Sequence, residues 1–83
     1  MEIREKTFYN EYVEGQDVYA ENFSMDEVVL RSVCEATLLN GSVNNSNFTN
    51  NYLFNARNVE FENTEFNEGF FTAYNCILEN CDF

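Results

Sequence analysis

The chain has 83 residues with 45% hydrophobic content, nine Phe and five Tyr, which suits one small folded domain and excludes intrinsic disorder. Its formal net charge is -11, from 15 acidic residues against Arg4, Lys6, Arg31 and Arg57; direct binding to nucleic acid, which needs clustered Lys and Arg to neutralise phosphates, is therefore excluded. No apolar run nears the roughly 18 residues of a membrane span, and MEIREKT at the start lacks the regions of a signal peptide, so a cytoplasmic protein without a membrane partner is expected.

In chain order, residues 7–13 (TFYNEYV) come first, bringing Phe8, Tyr9, Tyr12 and Val13 without the small partner residues seen in later repeats. From Val18 a period appears, with Val18, Phe23, Val28 and Val33 five apart. On a helix each step of five leaves a net rotation of about 140°, which scatters these residues around the cylinder. In a flat strand an odd step throws successive ones onto opposite faces. A strict five fits a chain that bends once per repeat, with two residues of each pentad, i-2 and i, pointing inward. Placing Phe23, Val28 and Val33 at i would bury Glu21, Asp26 and Arg31, which is costly without partners. Shifting the frame makes Val18/Ala20, Phe23/Met25 and Val28/Leu30 the inward pairs. A rival reading makes Met25–Asn40 a helix, with Ser24 and Glu27 as a capping box and Gly41 as its stop. The β-branched Val28, Val29 and Val33 weigh against it.

From Ala36 the pentads are plainer. ATLLN, GSVNN, SNFTN and NYLFN set Leu38, Val43, Phe48 and Leu53 at i, followed by Asn40, Asn45, Asn50 and Asn55. Ala56, Arg57 and Asn58 then interrupt the register. VEFEN, TEFNE and GFFTA resume it with Phe61, Phe66 and Phe71, and after Tyr74 and Asn75 come CILEN and CDF with Leu78 and Phe83. The i-2 slots hold mostly small residues, among them Ala36, Gly41, Ser46, Thr64, Gly69, Cys76 and Cys81. Asn suits a corner because it tolerates positive φ and bonds its own backbone. Cys76 and Cys81 read as small packing residues, since three cysteines make no disulfide scaffold and the chain has no His to complete a zinc site.

A small residue, a polar residue, Leu or Phe and two further polar residues form a pattern that resembles the pentapeptide-repeat family over Ala36 to Phe83. The family's Asp or Asn at i-1 stands only at Asn47 and Asp82. The resemblance implies an all-β fold, a right-handed parallel quadrilateral β-helix of about three to four coils with four pentads per coil. Residues 1–83 then form a single domain, with 36–83 as the clearest repeats and 1–15 as an N-terminal cap, because an open solenoid end exposes core and unpaired backbone. Phe83 falls at a core-type position in an unfinished coil, so a homodimer through the C-terminal coil is expected, with Leu78 and Phe83 at its two-fold contact.

No catalytic constellation emerges. Histidine is absent, the single Lys is Lys6, and there is no glycine-rich phosphate loop, so no enzyme activity, cofactor or metal is implied. The acids are distributed more tellingly. Nine lie between Glu2 and Glu35, none from Ala36 to Val59, and then follow Glu60, Glu62, Glu65, Glu68, Glu79 and Asp82. In the repeat frame Glu62 and Glu79 share the i+1 slot and Glu65 and Asp82 share i-1, so stacked coils would align their carboxylates in rows. Those six are the expected partner-binding residues, for a protein with a basic surface, such as a DNA-binding enzyme. Four coils span roughly 20 Å, over which duplex DNA carries about twelve charges, close to the net charge here. Resemblance to the quinolone-resistance members of the family, which associate with DNA gyrase, implies a DNA mimic that inhibits or protects a DNA-handling enzyme, gyrase-like or a phage-defence target. The alternative is a structural or scaffold module for protein interaction without mimicry, in which the acids only keep the protein soluble.

Overall fold

The computed structural model describes residues 2–4 and 7–83. Its organising feature is a backbone reversal at the end of each pentad. Asn10, Gly15, Asn22, Glu27 and Ser32 open a series that continues at Asn40, Asn45, Asn50, Asn58, Asn63, Glu68, Asn75 and Asn80, with φ between 51° and 70°. Asn supplies nine of these corners, as expected of the side chain that best tolerates the left-handed region after glycine. Between corners the backbone is extended, so side chains alternate and two per pentad face inward.

Nine strands result, and the described residues contain no helix: β1 (Glu2–Arg4), β2 (Thr7–Tyr9), β3 (Tyr12–Glu14), β4 (Val18–Asp26), β5 (Val29–Arg31), β6 (Glu35–Asn44), β7 (Asn47–Glu62), β8 (Glu65–Tyr74) and β9 (Ile77–Glu79). The helix considered for Met25–Asn40 is absent, and its residues lie in strands and corners. All pairings are parallel. Val18 faces Ala36 and Ala36 faces Phe54, eighteen residues apart, whereas Ile3 faces Ala20 and Phe54 faces Phe71, seventeen apart. The chain is therefore a parallel β-solenoid of about four turns.

A coil of 17 or 18 residues is shorter than four pentads. Three sides are full pentads, and the fourth is a connector of two or three residues, such as Val33–Glu35, Asn51–Leu53 or Gly69–Phe70. Residues 7–14, expected to cap the N-terminal end, form part of the first coil, their strands β2 and β3 stacked on β4 and β5. Of the proposed cap 1–15, Met1, Glu5 and Lys6 lie outside the described residues.

The shifted N-terminal frame matches the structure. Val18, Ala20, Phe23, Met25, Val28 and Leu30 are all buried, and the charges alternate outward. Two later assignments need correction. Leu53 is 42% exposed and Phe54 takes the inward place at 3% exposure. The register breaks at Asn51–Leu53 and at Gly69–Phe70, earlier than expected. Phe54 and Phe71 thus stack in the i-2 column above Ala36, with Ala56 and Ala73 in the i column above Leu38. Asn58 turns the corner in place of Asn55. The physical reason is exchange of volume, since Phe with Ala fills one rung of the core much as Ala with Leu does.

Small polar residues at i-2 satisfy themselves locally. Ser46 Oγ donates to the Asn44 carbonyl at 2.9 Å and Thr64 Oγ1 to that of Glu62 at 3.0 Å. The thiols of Cys76 and Cys81, half-buried as packing residues, donate in the same way to Tyr74 and Glu79, each at 3.4 Å. Asn side chains also ladder along one corner, where Asn58 Nδ2 donates to Asn40 Oδ1 at 3.1 Å and Asn75 Nδ2 to Asn58 Oδ1.

Gly41 shows how closely neighbouring rungs interlock. A Cβ there would lie 2.5 Å from the Phe23 ring and 2.6 Å from the Phe23 carbonyl oxygen. Gly41→Ala is expected to cost about 1–3 kcal/mol in denaturant unfolding. Gly15→Asn, at a positive-φ corner with open space around it, should stay within about 0.5 kcal/mol.

Candidate functional site

A solenoid turns sequence distance into spatial columns, because residues one coil apart sit about 4.8 Å apart on the same face. Glu62 pairs with Glu79, and Glu65 bridges to Asp82, so the two expected carboxylate rows form. They flank one corner, that of Asn63 and Asn80, and all four residues are exposed. Glu60 stands on the same face as Glu62 and is followed one coil on by Ile77. Together with Ser42, Asn44 and Glu79 these residues line a shallow groove of about 290 Å³. Glu68 is set apart from this group, at the opposite corner of the side that begins with Thr64.

The coil length adds residues that pentad counting does not reveal. Asp26 faces Asn44 and Asn44 faces Glu62, so Asp26 begins the row that ends at Glu79. Glu27 occupies the adjoining corner, one coil before Asn45. The signal that identifies both is the 18-residue repeat. Two Asn side chains each donate to one carboxylate on this face. Asn45 Nδ2 donates to Asp26 Oδ1 at 3.1 Å, and Asn47 Nδ2 donates to Glu65 Oε2 at 3.3 Å. At the N-terminal end of this face a hydrogen bond to Glu27, reinforced by the Glu27 charge, holds the Tyr9 phenol above the ordinary tyrosine pKa.

The described cations lie elsewhere. Arg4 is engaged by Glu21 at 2.9 Å and Glu2 at 3.4 Å and lies over Tyr19. Arg57 lies over the Tyr74 ring, 5.1 Å from its centroid. Arg31 stacks in register with Glu14 and Thr49. No described cation therefore neutralises the rows, and their negative potential faces solvent.

Leu78 and Phe83 lie in the last described coil of the solenoid. Leu78 is 37% exposed in the column above Phe61. Phe83 is 75% exposed and stacks on Phe66, with ring centroids 4.9 Å apart and planes 12° apart. Phe66 in turn belongs to a cluster of Phe48, Phe54, Phe61 and Phe71.

The fold and this face define the class as an acidic parallel β-solenoid. No protein-family model matches the chain, and no curated protein matches it. Among the described residues, no helix is long and apolar enough to cross a membrane.

Like charges directly opposite across parallel strands repel, so the rows oppose the fold. Glu79→Gln is expected to raise Tm by a few degrees at low ionic strength, and the gain should shrink as salt screens the pair. Thermal unfolding at low and high salt measures both effects.

Proposed function

We propose that this chain is a non-catalytic, cytoplasmic protein of the pentapeptide-repeat type whose acidic face occupies a basic nucleic-acid-binding surface of a DNA-handling enzyme. The carrying observation is the in-register stacking of Glu62 with Glu79 and of Glu65 with Asp82 on one corner, clear of every described cation. Repulsion between such pairs lowers stability, and a cationic partner would relieve it. Rows of carboxylates at coil spacing offer a regular line of anionic oxygens, the feature through which a basic groove holds a phosphate backbone.

Affinity capture from a bacterial lysate, repeated with excess duplex DNA and over a salt series, tests this reading. Capture of a DNA-binding enzyme should be lost to competing DNA and should fall steeply with ionic strength. A variant with Glu60, Glu62, Glu65 and Glu79 changed to Gln and Asp82 to Asn should lose it too. Capture indifferent to DNA and to these changes would favour a scaffold role without mimicry.

The same reading includes pairing of two copies at the last described coil, through Leu78 and Phe83. Exposed apolar side chains there favour association, while Glu79 and Asp82 near the rim oppose it. Dimerisation should therefore strengthen with salt, opposite in sign to capture of a basic partner. Sedimentation velocity at micromolar concentration should give a dimer that Phe83→Asp converts to monomer; a monomeric unsubstituted protein would end this part of the proposal.

A further inference from the structure

The first two coils carry one short unit twice. In Tyr12, Val13 and Glu14, and again in Tyr19, Ala20 and Glu21, a buried residue separates an outward Tyr from an outward Glu. Each phenol donates to the carboxylate two residues on, Tyr12 to Glu14 Oε1 at 3.0 Å and Tyr19 to Glu21 Oε2 at 3.1 Å. The second unit holds an arginine. Arg4, in register with Glu21 one coil earlier, donates to the same Glu21 Oε2 at 2.9 Å and lies over the Tyr19 ring, 5.2 Å from its centroid. One guanidinium thus meets a ring face and a carboxylate that the phenol already holds in place.

The first unit is placed differently. β3 is the last strand of the sheet path and pairs with β5 alone, so no described strand stands against it as β1 stands against β4. Arg31, in register with Glu14 on the other side, makes no ion pair with it, and no described cation lies over Tyr12. Tyr12 is 56% exposed, whereas Tyr19 is half-buried. Tyr12 also heads the outward column that runs through Val29 and Asn47 to Glu65 and Asp82, so this unit shares a face with one carboxylate row.

We propose that Tyr12 and Glu14 form a receptor for one arginine side chain of a partner protein, seated as Arg4 is seated on Tyr19 and Glu21. The inference rests on the reading that the partner surface is basic. It adds the residue type that the partner presents and an anchor about 14 Å along the axis from Glu65, three coil spacings away. Arginine fits better than lysine, because a planar guanidinium can stack on the ring and fork to the carboxylate at once, whereas an ammonium is a point charge. The hydrogen bond between phenol and carboxylate sets both side chains beforehand, so binding costs less ordering.

The test is NMR titration of the labelled protein at low ionic strength with N-acetyl-arginine amide, compared with N-acetyl-citrulline amide, its neutral isostere. Arginine should shift the Tyr12 ring and the Glu14 side chain saturably, and citrulline should bind there about two- to fivefold more weakly. In Arg4→Gln the freed Tyr19 and Glu21 should gain the same response, so the protein supplies its own positive control. Tyr12→Leu and Glu14→Gln, each added to Arg4→Gln, should remove the response at the first unit and leave that at Tyr19 unchanged. Arg31→Gln takes away the nearest like charge and should strengthen binding; weaker binding there would place Arg31 in the site and overturn the proposal. So would equal binding of the two probes at Tyr12, no saturable shift there, or a response in Arg4→Gln confined to Tyr19 and Glu21. The Glu62→Gln, Glu79→Gln variant should keep the response at Tyr12, so failure of partner capture by the carboxylate rows and failure of this receptor are read separately.

Discussion

Positive φ at the end of each pentad is the constraint on which the molecule depends. An L-residue with a Cβ resists that region, so the chain can turn there only where Asn, Gly or a strained exception is present. Once the turns are set, the extended stretches between them place two side chains inward and the rest outward. Parallel pairing then follows, because each coil repeats the path of the one before. The core, the Asn ladder and the acidic rows all depend on these reversals. Glu27, Ser32 and Glu68 are the corners where local preference and global fold disagree, and conflicts of that kind tend to mark strain or function.

Much of this was legible in the residues themselves. Period five excludes a helix or a flat strand, and the frame that kept Glu21, Asp26 and Arg31 outward proved to be the folded one. What could not be read was where the register breaks. Tyr52, Leu53 and Phe54 form a run in which Leu53 keeps the period and Phe54 does not, yet Phe54 is the buried residue. Pattern alone does not separate them, because the choice depends on Ala56 yielding space beside Phe54 and on Gly69 fitting against Asn51. Those relations cross coils, and they also shorten each turn from four pentads to three and a connector. Stacking of Glu62 on Glu79 survived the shift because one two-residue break separates them, whether it falls at Gly69–Phe70 or at Tyr74–Asn75. Asp26 escaped notice because its place in the row is set by coil length rather than by pentad position.

The acidic face and the last described coil differ in their physics. The rows are solvated, long-range and salt-sensitive, the kind of feature that steers encounter. The last coil is short-range and aromatic, with Phe rings 4.5–5.9 Å apart around Phe66 and Phe71. Interfaces commonly combine a charged periphery with a few buried anchors, and this molecule carries both within one or two coils of each other.

Strand partners are always 17 or 18 residues apart, so no contact between strands awaits a distant part of the chain. Such an architecture behaves as a one-dimensional stack, in which each layer is held by its neighbours alone. Folding can therefore advance layer by layer, and opening can begin at the outermost layer without melting the centre. A layer with a neighbouring coil on one side only, at either end of the described stack, would then show the fastest amide exchange. A partner seated on one end would slow exchange there while leaving the interior coils unchanged.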